Sequence, residues 1–277
     1  MLRLLLSVAI SGNVMRSLPS ISVTFRRVFI LYKNSFIDVL PFVLLVLMIQ
    51  VSFSKLLPVN ETTETAYIFL HVVLKSLITS FFFCCVIYAI FLKHYQQNLK
   101  YGELISKGLT RVIPMIFSGI ILISPLILMM GMFMIISVII VPDSNNASMT
   151  SKIIFLIMQL IISVATFFYV LIVFVYCYLS GVLIVCKNST AWIGIKQSWR
   201  LVSDNWWYVF SRMLSLLVII IIPSILLYHF LVQQTADGII TVFTFSLGPC
   251  LMVILHEILE STAIADKDMS IVRLPEK

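Results

Sequence analysis

Ala191–Phe210, AWIGIKQSWRLVSDNWWYVF, holds all four tryptophans of the 277-residue chain and lies between two long apolar runs. Trp192, Ile195, Trp199, Val202 and Trp206 recur at spacings of 3, 4, 3 and 4. A helix therefore lines them along one face and turns Lys196, Arg200 and Ser203 elsewhere. This is the pattern of a helix lying flat in a bilayer interface. An indole ring is apolar while its N–H wants a polar partner, and Lys and Arg beside it suit anionic headgroups. Ser203, Asp204 and Asn205 then break the flat helix and cap the next one, which enters the membrane at Trp207.

The composition agrees. A chain that is 61% hydrophobic and 11% charged, with a mean hydropathy of +1.09, carries more apolar surface than a water-soluble globule of its size can hide. Apolar runs place six spans at about residues 37–54, 66–92, 112–141, 153–185, 207–232 and 238–262, each near the ~20 residues a bilayer requires. The run to Val185 exceeds that need, so its helix is expected to tilt or to project beyond the bilayer.

Net charge +7 raises the question of nucleic acid, but the bases are dispersed between the apolar runs rather than gathered on one soluble domain, which excludes that class. Orientation accounts for them. With the N-terminus inside, 15 of the 19 Lys and Arg fall on the cytoplasmic side, and only Lys55 and Lys152 on the other. Both termini are thus expected in the cytoplasm. Four of the five cysteines, Cys84, Cys85, Cys177 and Cys250, lie in apolar runs, which argues against a disulfide framework.

Two further segments echo the tryptophan stretch. Phe25, Phe29, Tyr32 and Phe36 recur at spacings of 4, 3 and 4, with Arg26, Arg27 and Lys33 on other faces. Tyr101, Ile105, Leu109 and Val112 make a weaker apolar stripe beside Lys100, Lys107 and Arg111. The sequence therefore predicts an all-α polytopic membrane protein: six transmembrane helices arranged as three hairpins, each preceded by a cytoplasmic interfacial amphipathic helix. These elbows fall near residues 22–37, 100–112 and 190–203, anchored by Trp192, Trp199, Trp206, Trp207, Phe25, Phe29 and Phe36. Chance recurrence stays open, because any inside loop collects Lys and Arg. Residues 1–21 read as a cytoplasmic leader, 22–265 as the membrane domain and 266–277 as a cytoplasmic tail. Asn60 and Asn146 open sequons that matter only in a secretory lumen.

Charges inside spans cost on the order of 2.5 to 3.5 kcal/mol at a helix centre, so each needs an account. Arg212 lies one turn inside the fifth span, and Glu257 and Glu260 lie near the same depth in the antiparallel sixth. They either pair or reach separately for the interface. Lys75 lies about 12 Å deep if the second span begins at Tyr67. With His71 one turn above and His229 at a similar level, it suggests a proton or anion path; a span starting at Ser76 returns it to the interface. Pro125, Pro223 and Pro249 favour kinks, which in transporters can mark discontinuous helices around a site, though proline is also common in ordinary membrane helices. His256-Glu257-Ile258-Leu259-Glu260 resembles a zinc-binding H-E-x-x-H in which Glu260 replaces the second histidine, and the sixth span supplies no third ligand. No metal or cofactor is expected. A phosphate-binding loop, a dinucleotide fingerprint and a nucleophile elbow are all missing from the sequence.

Gln197-Ser198-Trp199-Arg200-Leu201-Val202-Ser203-Asp204-Asn205-Trp206-Trp207, together with Gly108-Leu109-Thr110-Arg111-Val112-Ile113-Pro114 before the third span, resembles a recurring segment of bacterial multi-spanning proteins. These are the YciC-like inner-membrane proteins and the membrane domain attached to some glycerophosphodiester phosphodiesterases. The resemblance implies a bacterial inner-membrane protein, and the chain has no room for the phosphodiesterase catalytic domain. The expectation is a non-enzymatic scaffold, assembly or envelope-homeostasis factor acting through anionic lipid headgroups, protein partners or its own copies. A small secondary transporter or channel is the rival reading, and a metal-dependent intramembrane hydrolase a remote one.

Overall fold

The computed structural model describes residues 18–56, 65–140, 149–230 and 233–272; the leader up to residue 17, the outer connections with both sequons, and the last five residues lie outside that description. Eight helices and no strand occur among the described residues. They are α1 (Ile21–Leu56), α2 (Thr65–His94), α3 (Tyr101–Ile140), α4 (Met149–Cys177), α5 (Ser180–Cys186), α6 (Ala191–Ser203), α7 (Trp206–Phe230) and α8 (Gln233–Val272). Six helical stretches are long and apolar enough to cross a bilayer: 21–49, 70–94, 101–125, 157–186, 206–229 and 238–264. The protein is an all-α, multi-pass membrane fold.

Two of the three expected elbows are not separate helices. α1 runs unbroken from Ile21 to Leu56 and α3 from Tyr101 to Ile140, so each amphipathic start continues straight into its span. Neither junction carries a turn signal, and helix continues through Pro41 and Pro114. The third elbow does stand alone as α6. The Thr190 hydroxyl accepts from the Ile193 N–H at its start, and a turn at Asp204–Asn205 separates it from α7. Helix likewise continues through Pro125, Pro223 and Pro249, so none of these residues makes a discontinuous helix.

The fourth apolar run departs from expectation in the other direction. It breaks at Tyr178–Leu179, and the short α5 that follows is buried from Ser180 to Val185. A break inside an apolar run frees a backbone carbonyl, which must find a donor. Ser198 of α6, fully buried, donates to the Tyr176 carbonyl at 2.6 Å, while the Tyr176 ring stacks on Trp199 with centroids 4.0 Å apart. The tryptophan-bearing helix therefore clamps the break from the side.

α2 is central, packed against α1, α3, α5 and α8, and the first and last helices close the bundle on each other. Because lipid is as apolar as a leucine side chain, such helices associate through close fit and polar bonds more than through apolar burial. Gly108 marks the tightest crossing: a Cβ there would lie 2.5 Å from Cys85 Sγ and 2.9 Å from the Phe81 ring. The core is concentrated toward one end, which holds the start of α1, the end of α2, the start of α3, α5, α6, the start of α7 and the end of α8. Because Arg26, Arg27, Lys93, Lys107, Arg111, Lys187, Lys196 and Arg200 cluster there, we call it the basic end.

Candidate functional site

The described ion pairs all join side chains at the basic end. Lys93 at the close of α2 meets Asp38 of α1 at 2.9 Å. Its neighbour His94 places Nε2 3.1 Å from Glu257 of α8, with Arg27 of α1 at 4.0 Å from the same oxygen. One turn further along α8, Glu260 takes Lys187 at 3.0 Å and faces His256 Nδ1 at 3.7 Å. The two glutamates thus tie α1, α2 and the end of α5 to α8.

A cleft of about 740 Å³ opens beside the first group, lined by Arg27, Asn34, Lys93, His94, Gln97 and Glu257 among others. Its wall is shaped by the way α2 ends. Gln96 adopts φ 54°, the Gln97 N–H bonds back to the Leu92 carbonyl at 2.9 Å, and the Gln96 N–H to Lys93 at 3.1 Å. This is a Schellman close with glutamine where glycine is usual.

Arg212 takes neither course that sequence offered it. It is buried and meets no carboxylate among the described residues; its guanidinium donates to the Pro19 carbonyl at 2.7 Å, the Ser211 hydroxyl at 2.8 Å and the Tyr208 carbonyl at 3.4 Å. It also lies 3.7 Å from the Tyr208 ring centroid, and the Tyr208 hydroxyl meets Thr24 Oγ1 at 3.3 Å. Arg212 and Tyr208 therefore lock the entry of α1 onto α7.

The remaining intramembrane candidates sit apart from these groups. Lys75 is exposed on the part of α2 away from the basic end, His71 lies one turn before it and His229 is exposed near the end of α7. None of the three lines the cleft beside Glu257, and α7 packs mainly on α8, α4 and α6. His256 is fully buried, and its Nε2 has no hydrogen-bond partner among the described residues. Among the described residues no three His, Cys, Asp or Glu side chains converge as a metal would require.

The anchors divide by the face they occupy. On α6, Gly194, Ile195, Ser198 and Val202 turn into the protein, while Trp192 and Trp199 flank that face, 64% and 45% exposed, next to exposed Lys196 and Arg200. Trp207 is 50% exposed, and Trp206 stacks on Phe210. On α1, Phe29 is exposed and Phe36 half-buried, whereas Phe25 belongs to the core and faces no lipid. The stripe expected on one face of α6 is therefore split between a buried face and a boundary.

Sequence reading missed His94, Arg27, Asp38 and Lys187 as partners. Each lies within a turn or two of the end of an apolar stretch, and only the packing of α8 against α1 and α2 shows which charges meet. No known family, curated protein or solved structure matches the chain.

Proposed function

We propose that the chain is a non-catalytic integral protein of a bacterial inner membrane, with both termini cytoplasmic, acting as a scaffold, assembly or envelope-homeostasis factor through lipid and protein contacts at its basic end. The observation that carries this reading is the use made of the charged side chains. Asp38, Lys93, His94, Lys187, Glu257 and Glu260 join one helix to another rather than presenting a base beside a nucleophile. The flanking Trp192 and Trp199 and the exposed bases of α6 suit a boundary with anionic lipid, each nearby base contributing about 1 kcal/mol.

The test is site-specific photo-crosslinking from Lys196 and Gln97 in intact membranes, with access of Lys196 to a membrane-impermeant reagent as the check on orientation. One or a few discrete adducts at the cytoplasmic face support a scaffold or assembly role. Labelling of Lys196 from outside, or a complete lack of discrete adducts, overturns it.

A further inference from the structure

A second group at the basic end is charged but uncompensated. Lys107 and Arg111, one turn apart on α3, both donate to the Oδ1 of Asn188, at 2.5 Å and 2.7 Å. Asn188 reaches them because it takes φ 59° where the chain leaves α5, a conformation asparagine tolerates better than most residues. Two cations thus converge on one neutral acceptor. Among the described residues no carboxylate stands within ion-pairing distance of either. Glu103, one turn before Lys107, is taken by the Tyr88 hydroxyl at 2.7 Å, and Lys187 already has Glu260. Arg111 Nε is shielded from water and donates to no described group. Such a donor set fits a phosphate, which accepts from several N–H groups at once.

An apolar cavity lies further along α3, with Met115, one turn after Arg111, in its wall. It measures about 330 Å³ and is lined by Ser80, Phe83, Met115, Ser118, Gly119 and Tyr178, among others. On α3, Arg111, Met115, Ser118 and Leu122 follow at spacings of 4, 3 and 4, so the cation and the cavity wall share one face. On the facing side, Gly181 lines the cavity seven residues before Asn188. α3 and α5 stay in register between the two levels: Arg111 meets Asn188, and a side chain at Gly181 would come within 3.2 Å of Met115 Cε. From Arg111 to Leu122 the helix rises about 16 Å, close to the ~15 Å half-thickness of a hydrocarbon core.

We propose that Lys107, Arg111 and Asn188, with the cavity further along α3, form a binding site for one anionic phospholipid of the surrounding bilayer, its phosphate on the two cations and one acyl chain in the cavity. This rests on the reading of the basic end as a membrane–water boundary, and it adds a defined partner to it. The occupant is a lipid rather than free phosphate because the two cations and the cavity wall lie along one face of α3, and it is anionic because neither cation has a carboxylate within ion-pairing distance among the described residues.

The test uses the full chain in detergent, with native mass spectrometry and thermal unfolding read against added phosphatidylglycerol, phosphatidylcholine or inorganic phosphate. The wild type is expected to retain one phosphatidylglycerol per chain, preferred over phosphatidylcholine by roughly tenfold. Lys107→Gln with Arg111→Gln removes that preference, and exchanging the two (Lys107→Arg with Arg111→Lys) keeps it. Gly119→Leu fills the cavity, since a Cβ there meets nothing within 4 Å, and is expected to weaken retention without loss of folded yield. The proposal is overturned if the two lipids are retained equally by the wild type, if inorganic phosphate alone gives the full thermal shift, or if Gly119→Leu leaves retention unchanged. Discrete protein crosslinks together with equal lipid retention sink this site and leave the scaffold reading intact.

Discussion

The two ends of the bundle are built differently. At the basic end, Val28, Ile87, Ile90, Leu104, Ile184, Ile254 and Leu255 have essentially no exposed surface, and side chains from α1, α2, α8 and the close of α5 meet in pairs. At the far end, Leu128, Leu160 and Ile225 are 69%, 65% and 64% exposed, on helices that present one long apolar flank outward. Large apolar side chains line the helices in both halves, so apolarity alone does not decide where helices pack. Small residues and polar bonds decide it: Gly108, Gly181, Gly194, Ser198 and Arg212 all lie at the packed end.

The contrast can be broken most directly by paired truncations. Leu255→Ala is expected to cost about 2–5 kcal/mol, as for a buried leucine whose cavity cannot collapse. Leu160→Ala is expected to cost well under that, because lipid refills the space. Equal losses in reversible unfolding in mixed micelles would erase the distinction. The same comparison can be made on a single helix. Gly108→Ala drives a methyl into Cys85 and Phe81 and is expected to destabilise by about 1–3 kcal/mol, whereas Gly119→Ala meets nothing and is expected to be neutral or slightly stabilising.

Smaller effects sharpen the account of the basic end. Gln96→Gly should stabilise by roughly 0.5–1 kcal/mol, since glycine takes positive φ without a Cβ penalty; a loss of stability would mean that the glutamine side chain matters more than its backbone. The Lys187–Glu260 pair is partly exposed and should contribute about 0.2–1 kcal/mol by double-mutant cycle. A larger coupling would show that water reaches this end less than the exposure suggests.

Six spans were legible because each apolar run is long and bounded by charge. The separate α6 was legible too, from Ser203, Asp204 and Asn205 after it. The break at Tyr178–Leu179 was not, since VYCYLSGVLIV reads as continuous apolar helix, and the donor that makes the break tolerable, Ser198, lies on another element. For the same reason Arg212 looked like a partner for Glu257. Its actual acceptor, the Pro19 carbonyl, is a backbone group that carries no sequence signal. The tryptophan stripe merged two directions, because a period of three and four does not say whether a neighbour is protein or lipid.

The bond from Arg212 to Pro19 joins positions 193 apart. During synthesis the first helix must therefore wait in the bilayer, its entry unfastened, until the seventh emerges. A stall or truncation before that point leaves α1 without its clasp, so the quality of assembly is decided late, by an arginine that the ribosome adds only after most of the spans are already in place.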